Sequence, residues 1–139
     1  MSPEVWTDAS ALIATTAAAQ NVVVEWPNQD AGERPEPPAP WLAIDVASDM
    51  AETIEMGAGR NSIWDERGSV WLHLFIPNGE GIERGLDIRK AFSVAFRKTV
   101  PGVDGLLYQS QTFDPIGADD GVYKRLTLII RYSFNDIIV

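Results

Sequence analysis

One run constrains this chain more than any other. Val70, Leu72, Leu74 and Ile76 fall on one parity, and Trp71, His73 and Phe75 fall on the other. Period two specifies a strand. A strand that is apolar on both faces cannot leave one of them in water, so it must be covered twice. Helices can supply one cover. The other comes from within the chain, from a proline-rich segment or the first helix, or else from a second subunit. The sequence leaves both readings open.

The preceding stretch is built in the same way. In 41–56, Leu42, Ile44, Val46, Met50, Ile54 and Met56 share one parity, broken by Ser48 and Glu52. The turn cluster Gly57-Ala58-Gly59-Arg60-Asn61-Ser62 joins it to a strand over 63–76. Together they predict one long β-hairpin. Its distal half, 50–65, mixes polar residues with Met50, Ile54, Met56, Ile63 and Trp64, and is expected to project beyond the core.

The remaining elements follow from periodicity and stop signals. Residues 3–20 read as a helix with Pro3 in its first turn and Ser2 available as a cap. Val5, Ala9, Leu12, Ile13 and Thr16 recur at helical spacing. The alanines at 9, 11, 14, 17, 18 and 19 give either a smooth surface for close approach or simple helix propensity. Residues 22–26 form a short strand that Pro27 ends. Residues 28–40, with Pro35, Pro37, Pro38 and Pro40, form a loop of polyproline character. A second helix is expected from about Glu80 to Thr99, and strands over 106–113 and 122–134. The tail 135–139 follows the last strand and ends in Ile-Ile-Val, which is apolar for a free terminus. The fold class is therefore α+β: a mainly antiparallel four- to five-stranded sheet, two helices packed on one face and a long projecting β-hairpin. Residues 1–139 make a single domain.

Composition narrows the function. The chain has no cysteine, so it has no thiol nucleophile and no thiolate metal site. His73 is its one histidine. The net charge of -9 has the wrong sign for a general nucleic-acid binder. No apolar run approaches the ~18 residues of a membrane span, and Met1-Ser2-Pro3-Glu4 lacks a leader's basic start. Neither a phosphate loop, a nucleophile elbow, a zincin helix nor an EF-hand spacing occurs. Gly57-Ala58-Gly59 has serine where a dinucleotide loop needs its third glycine. His73 reads as a packed histidine with one hydrogen bond, and Asp119-Asp120-Gly121 as a turn rather than a cation site. The expectation is no enzyme, no cofactor and no bound metal. What stands out is surface, because five tryptophans exceed what one small core takes in.

Several segments together carry a resemblance. A small-residue helix, a short strand and a proline-rich loop precede Pro40-Trp41-Leu42-Ala43-Ile44. Then follow Gly68-Ser69-Val70-Trp71-Leu72-His73-Leu74-Phe75-Ile76-Pro77, Gly79-Glu80-Gly81, Ile88-Arg89-Lys90-Ala91-Phe92 and a closing Arg131-Tyr132-Ser133-Phe134. Over nearly its whole length the chain resembles the tail-terminator (tail-completion) proteins of long-tailed bacteriophages and phage-like gene transfer agents. The shared features are turns and patterns, not catalytic signatures.

The resemblance implies a structural virion protein at the head-proximal end of the tail, made in the bacterial host cytoplasm. Such a protein forms a homo-oligomeric ring, a hexamer, that caps the tail tube, stops its polymerisation and joins it to the head-tail connector or neck protein. Tube subunits stack head-to-tail and grow until something closes them. DNA passes through the bore without specific binding, which suits an acidic ring with Arg60 or Arg67 as its exceptions. Met50, Ile54, Met56, Arg60 and Trp64 are assigned to the tube or a neighbouring subunit. Trp41, Trp71, Phe75, Ile137, Ile138 and Val139, with the proline-rich loop, are assigned to the ring. Two other readings stand beside this one: a head-closure or neck protein of the same particle, and a small ligand-binding or hydrolase domain.

Overall fold

The doubly apolar run becomes the inner strand of a mixed sheet. In the computed structural model, residues 1–29, 35, 36, 38–56, 62–98, 100–117 and 121–138 are described, with backbone alone at 53–56, 62, 137 and 138. The elements run α1 (Pro3–Gln20), β1 (Val23–Glu25), β2 (Trp41–Met56), β3 (Ser62–Pro77), α2 (Glu83–Lys98), β4 (Leu106–Phe113) and β5 (Tyr123–Ile138). The sheet order is β1-β2-β3-β5-β4. Every pairing is antiparallel except β1 with β2. This is the expected α+β class.

Both helices pack on one face, as the period-two pattern requires. Leu42 and Ile44 of β2, Val70, Leu72, Leu74 and Ile76 of β3, and Leu126, Leu128 and Ile130 of β5 form one buried layer. Ala9, Ile13 and Ala17 of α1 close over it, with Ile88, Phe92 and Phe96 of α2. The small residues at 9 and 17 let α1 lie close to the sheet, whereas Ala11, Ala14, Ala18 and Ala19 are exposed and serve helix propensity. A second cluster joins Val5 of α1 to Leu106, Tyr132 and Phe134.

Three expectations are corrected. Ser2 makes no side-chain cap for α1; its hydroxyl donates instead to Glu66 at 2.7 Å. The second helix begins at Glu83, not Glu80, because Gly79 and Gly81 take φ of 85° and 79°. A left-handed residue cannot sit inside a right-handed helix. Thr99 lies outside the described residues.

The third correction concerns the C-terminus. Residues 135–138 are not a free tail. They extend β5 and pair with β3, Asn135 opposite Asp65 and Ile138 opposite Ser62. Their pairing satisfies backbone groups that β3 would otherwise hold out to water on that side. The projecting part is thus three-stranded over 50–56, 62–65 and 135–138, not a lone hairpin.

Candidate interaction surfaces

The sheet face away from the helices is partly covered by the chain itself. Trp41 stacks on Phe75 with ring centroids 4.1 Å apart and planes within 7°, and Tyr123 meets Trp41 edge-on at 6.1 Å. Pro35, Glu36 and Pro38 line a groove of about 500 Å³ with these rings and Val122. Trp41 keeps 6% of its surface exposed, so it has little left to offer a partner. Trp71 and Phe75 are half-buried. The Trp71 indole N–H donates to Ser69 Oγ at 2.9 Å. Ile129, its cross-strand neighbour, is buried.

Beside them runs a polar line that the sequence did not disclose. His73 Nδ1 lies 2.9 Å from Thr127 Oγ1, and His73 Nε2 lies 3.1 Å from Asp45 Oδ2. Hydroxyl, imidazole and carboxylate in that order are the parts of a hydrolase triad. Thr127, however, is 4% exposed, and an electrophile has no approach to its hydroxyl. The line ties β2, β3 and β5 together across the face. One signal was available: Asp45, His73 and Thr127 share the outward parity of their strands.

A second polar knot sits where the helical layer gives way to the projecting strands. The Glu66 carboxylate, on a residue 9% exposed, accepts the Tyr132 hydroxyl at 2.8 Å, the Ser2 hydroxyl at 2.7 Å and the Ser2 N–H at 3.1 Å. Burial alone would raise its pKa. The hydrogen bonds from Ser2 and Tyr132, with the N-terminal ammonium, outweigh burial and hold it below the ordinary carboxylate value. Tyr132 is pushed well above a normal phenol by burial first and by Glu66 next, with Ser48 opposing. The N-terminal ammonium reaches Ser48 Oγ. These contacts pin the start of α1 to β2, β3 and β5 at the root of the projection.

The residues assigned to the tube surface divide. Met50 is 47% exposed and Trp64 38% exposed, both on the projection. Ile54 and Met56 belong to β2, and their side chains, like Arg60, lie outside the described residues. Of the ring residues, Ile137 and Ile138 are in β5 opposite Ile63 and Ser62. Their side chains and Val139 lie outside the described residues, as do Asp119 and Asp120. Exposed apolar groups that the sequence reading did not assign occur at the opposite edge, on Leu107 (55%) and Phe113 (47%) of β4. Among the described residues, no group of three or more His, Asp or Glu is placed to hold a metal ion. No helix among them is long and apolar enough to cross a membrane.

No family model matches the chain, and no curated protein matches it. The likeness is to solved structures. One, described only by a sequence identifier, shares the fold with a TM-score of 0.61 at 16% identity, covering 90% of this chain and 94% of that one. Identity that low speaks for the fold alone. Another, the bacteriophage SPP1 gp17 protein, covers 98% of each chain at 18% identity with a TM-score of 0.47. Its superposition is too loose to carry an argument.

Proposed function

We propose that the chain is a structural virion protein that forms a ring, a hexamer, on the head-proximal end of a phage-type tail tube. The ring stops tube growth and offers its far side to the head connector. The observation that supports this most is the separation of the apolar surfaces: Met50 and Trp64 on the projection, Leu107 and Phe113 at the β4 edge, Trp71 and Phe75 on the uncovered face. A capping subunit must meet its own copies and two different partners, and so needs distinct surfaces for each. A single concave pocket with converging polar groups would have favoured a ligand-binding or hydrolytic domain.

In this reading the projection meets the tube and the sheet meets neighbouring subunits. The chain's net charge of -9 keeps threaded DNA from adhering. Arg67, expected as an exception in the bore, is paired with Asp65 at 2.8 Å.

The test is polymerisation of a tail-tube protein with and without this chain. A terminator arrests growth and appears as a ring at one tube end. A head-closure or neck protein leaves tube growth unchanged, and that outcome would transfer the assignment to the neck.

A further inference from the structure

Among the described residues, the two open edges of the sheet match each other in position, length and direction. β1 covers β2 only at Trp41, Leu42 and Ala43. From Ile44 onward the outer side of β2 has no strand beside it among the described residues, and the far side of β4 has none either. Ile44, Leu72, Leu128 and Phe113 lie on one row across the sheet. Ala51, Glu66, Phe134 and Leu106 lie on another. The open edge 44–51 and the strand 106–113 thus span the same rows. Each also carries one bulge, between Ser48 and Met50 and between Tyr108 and Ser110. Both bulges flank the row of Gly68 and Tyr132. The two edges run antiparallel to each other, since β2 and β4 are each one antiparallel step further from β3 and β5.

The charged side chains beside the two edges differ in kind. Asp45, Asp49 and Glu52 are exposed along the open part of β2. On the other side, Arg97 lines a groove with Tyr108, Gln109 and Phe113. Arg131 donates to Thr112 Oγ1 at 2.7 Å, and the Arg89 guanidinium lies 5.2 Å over the Phe113 ring. Asp104 and Asp114 flank β4 at its ends, and the Asp8 carboxylate accepts the Tyr108 hydroxyl beside it.

An open edge is a template for another strand, and bulges and charges restrict which strand it accepts. We infer that neighbouring copies join by laying the β2 edge of one, with its exposed Asp45, Asp49 and Glu52, against the β4 edge of the next, beside which Arg97 of α2 and Arg131 of β5 lie, antiparallel, so that the sheet continues from copy to copy. The inference rests on the ring reading and specifies the contact that closes it. It is a head-to-tail contact, which closes when the rotation per copy closes. Val46 on one edge and Leu107 and Phe113 on the other, all at least 41% exposed, are its apolar part.

Charge reversal tests it on the full chain. One variant carries Asp49→Lys and Glu52→Lys, the other Arg97→Glu and Arg131→Glu. Native mass spectrometry follows assembly, and circular dichroism follows folding. Each variant alone should need at least about tenfold more protein to assemble than the unmodified chain, because like charges then face each other. An equal mixture should regain the ring, since each variant's edges complement the other's. Rings formed by either variant alone at unmodified concentrations would overturn the edge contact and leave the ring reading standing. So would folded variants whose mixture stays monomeric. If a variant unfolds, the neutral pair Asp49→Asn and Glu52→Gln replaces it and should weaken assembly to a smaller degree. An unmodified chain that forms no ring, free or on tubes, removes the ring reading and the edge contact together.

Discussion

The Tyr132 hydroxyl donates to the Glu66 carboxylate at 2.8 Å, joining β5 to β3 where the helical layer ends. Because Ser2 donates to the same carboxylate, this one side chain also fixes the start of α1. Glu66→Ala leaves a buried phenol without its acceptor and should cost about 1–3 kcal/mol in urea denaturation. The pH dependence follows from the sign of the shift. Glu66 is held below its ordinary value of 4.5, so its contribution is complete above that value and is lost as pH falls through the lower folded value. The difference in melting temperature between the unmodified chain and Glu66→Gln should therefore be steady from neutral pH down to that ordinary value and close below it. A difference that widens in acid would contradict the assignment.

Two glycines should respond differently to alanine. A methyl at Gly68 would stand 2.3 Å from the Ala47 carbonyl oxygen and 2.7 Å from the Tyr132 hydroxyl oxygen. A backbone oxygen inside a sheet cannot step aside, so Gly68→Ala should cost about 1–3 kcal/mol or more. At Gly85 the nearest atoms are the Ile76 Cγ2 at 2.8 Å and Cδ1 at 2.9 Å, side-chain methyls of a buried residue that can give more than a sheet carbonyl can. Replacing Gly85 also removes the helical penalty of glycine. Thermal denaturation should rank Gly68→Ala as clearly the worse of the two.

Much of this fold was legible because period-two and helical patterns report burial directly. The parities of Val70, Leu72 and Leu74 against Trp71 and Phe75 gave the two faces of β3, and the bounds of α1, β2 and β4 followed from proline and turn signals. The tail was misread because Ile137 and Ile138 look the same in a strand as in an apolar terminus; only a partner strand at Ser62 and Ile63 distinguishes them. The start of α2 was misplaced because the left-handed backbone of Gly79 and Gly81 is a choice the sequence permits and does not compel. The contacts of Glu66 and His73 join residues 28 or more positions apart, and a local pattern cannot show them. Met50 and Trp64 are exposed on the projection.

Asp8 ties the first helix to the far edge of the sheet. Its carboxylate accepts the Tyr108 hydroxyl at 2.6 Å and the Gly102 N–H at 3.0 Å. Asp8→Ala should lower stability by about 1–3 kcal/mol. Adding Tyr108→Phe should then cost less than it does in the unmodified chain, because the hydroxyl has already lost its acceptor. A double-mutant cycle in urea measures this coupling, and strictly additive losses would contradict it.

The projection and the sheet should separate by function. Met50→Ser with Trp64→Ser removes exposed apolar surface while leaving the buried layer intact. Melting temperature should stay near that of the unmodified chain, since exposed positions contribute little. Binding to tail tubes, followed by co-sedimentation, should fall sharply while the chain's own assembly persists. Loss of both together would mean that the projection serves the ring.

The most direct test of the whole account is the native mass of the chain, alone and then mixed with tail tubes. A ring-forming terminator gives a species near six times 15.3 kDa, or a monomer that becomes such a ring on the tube end. A monomer that ignores the tubes would contradict it.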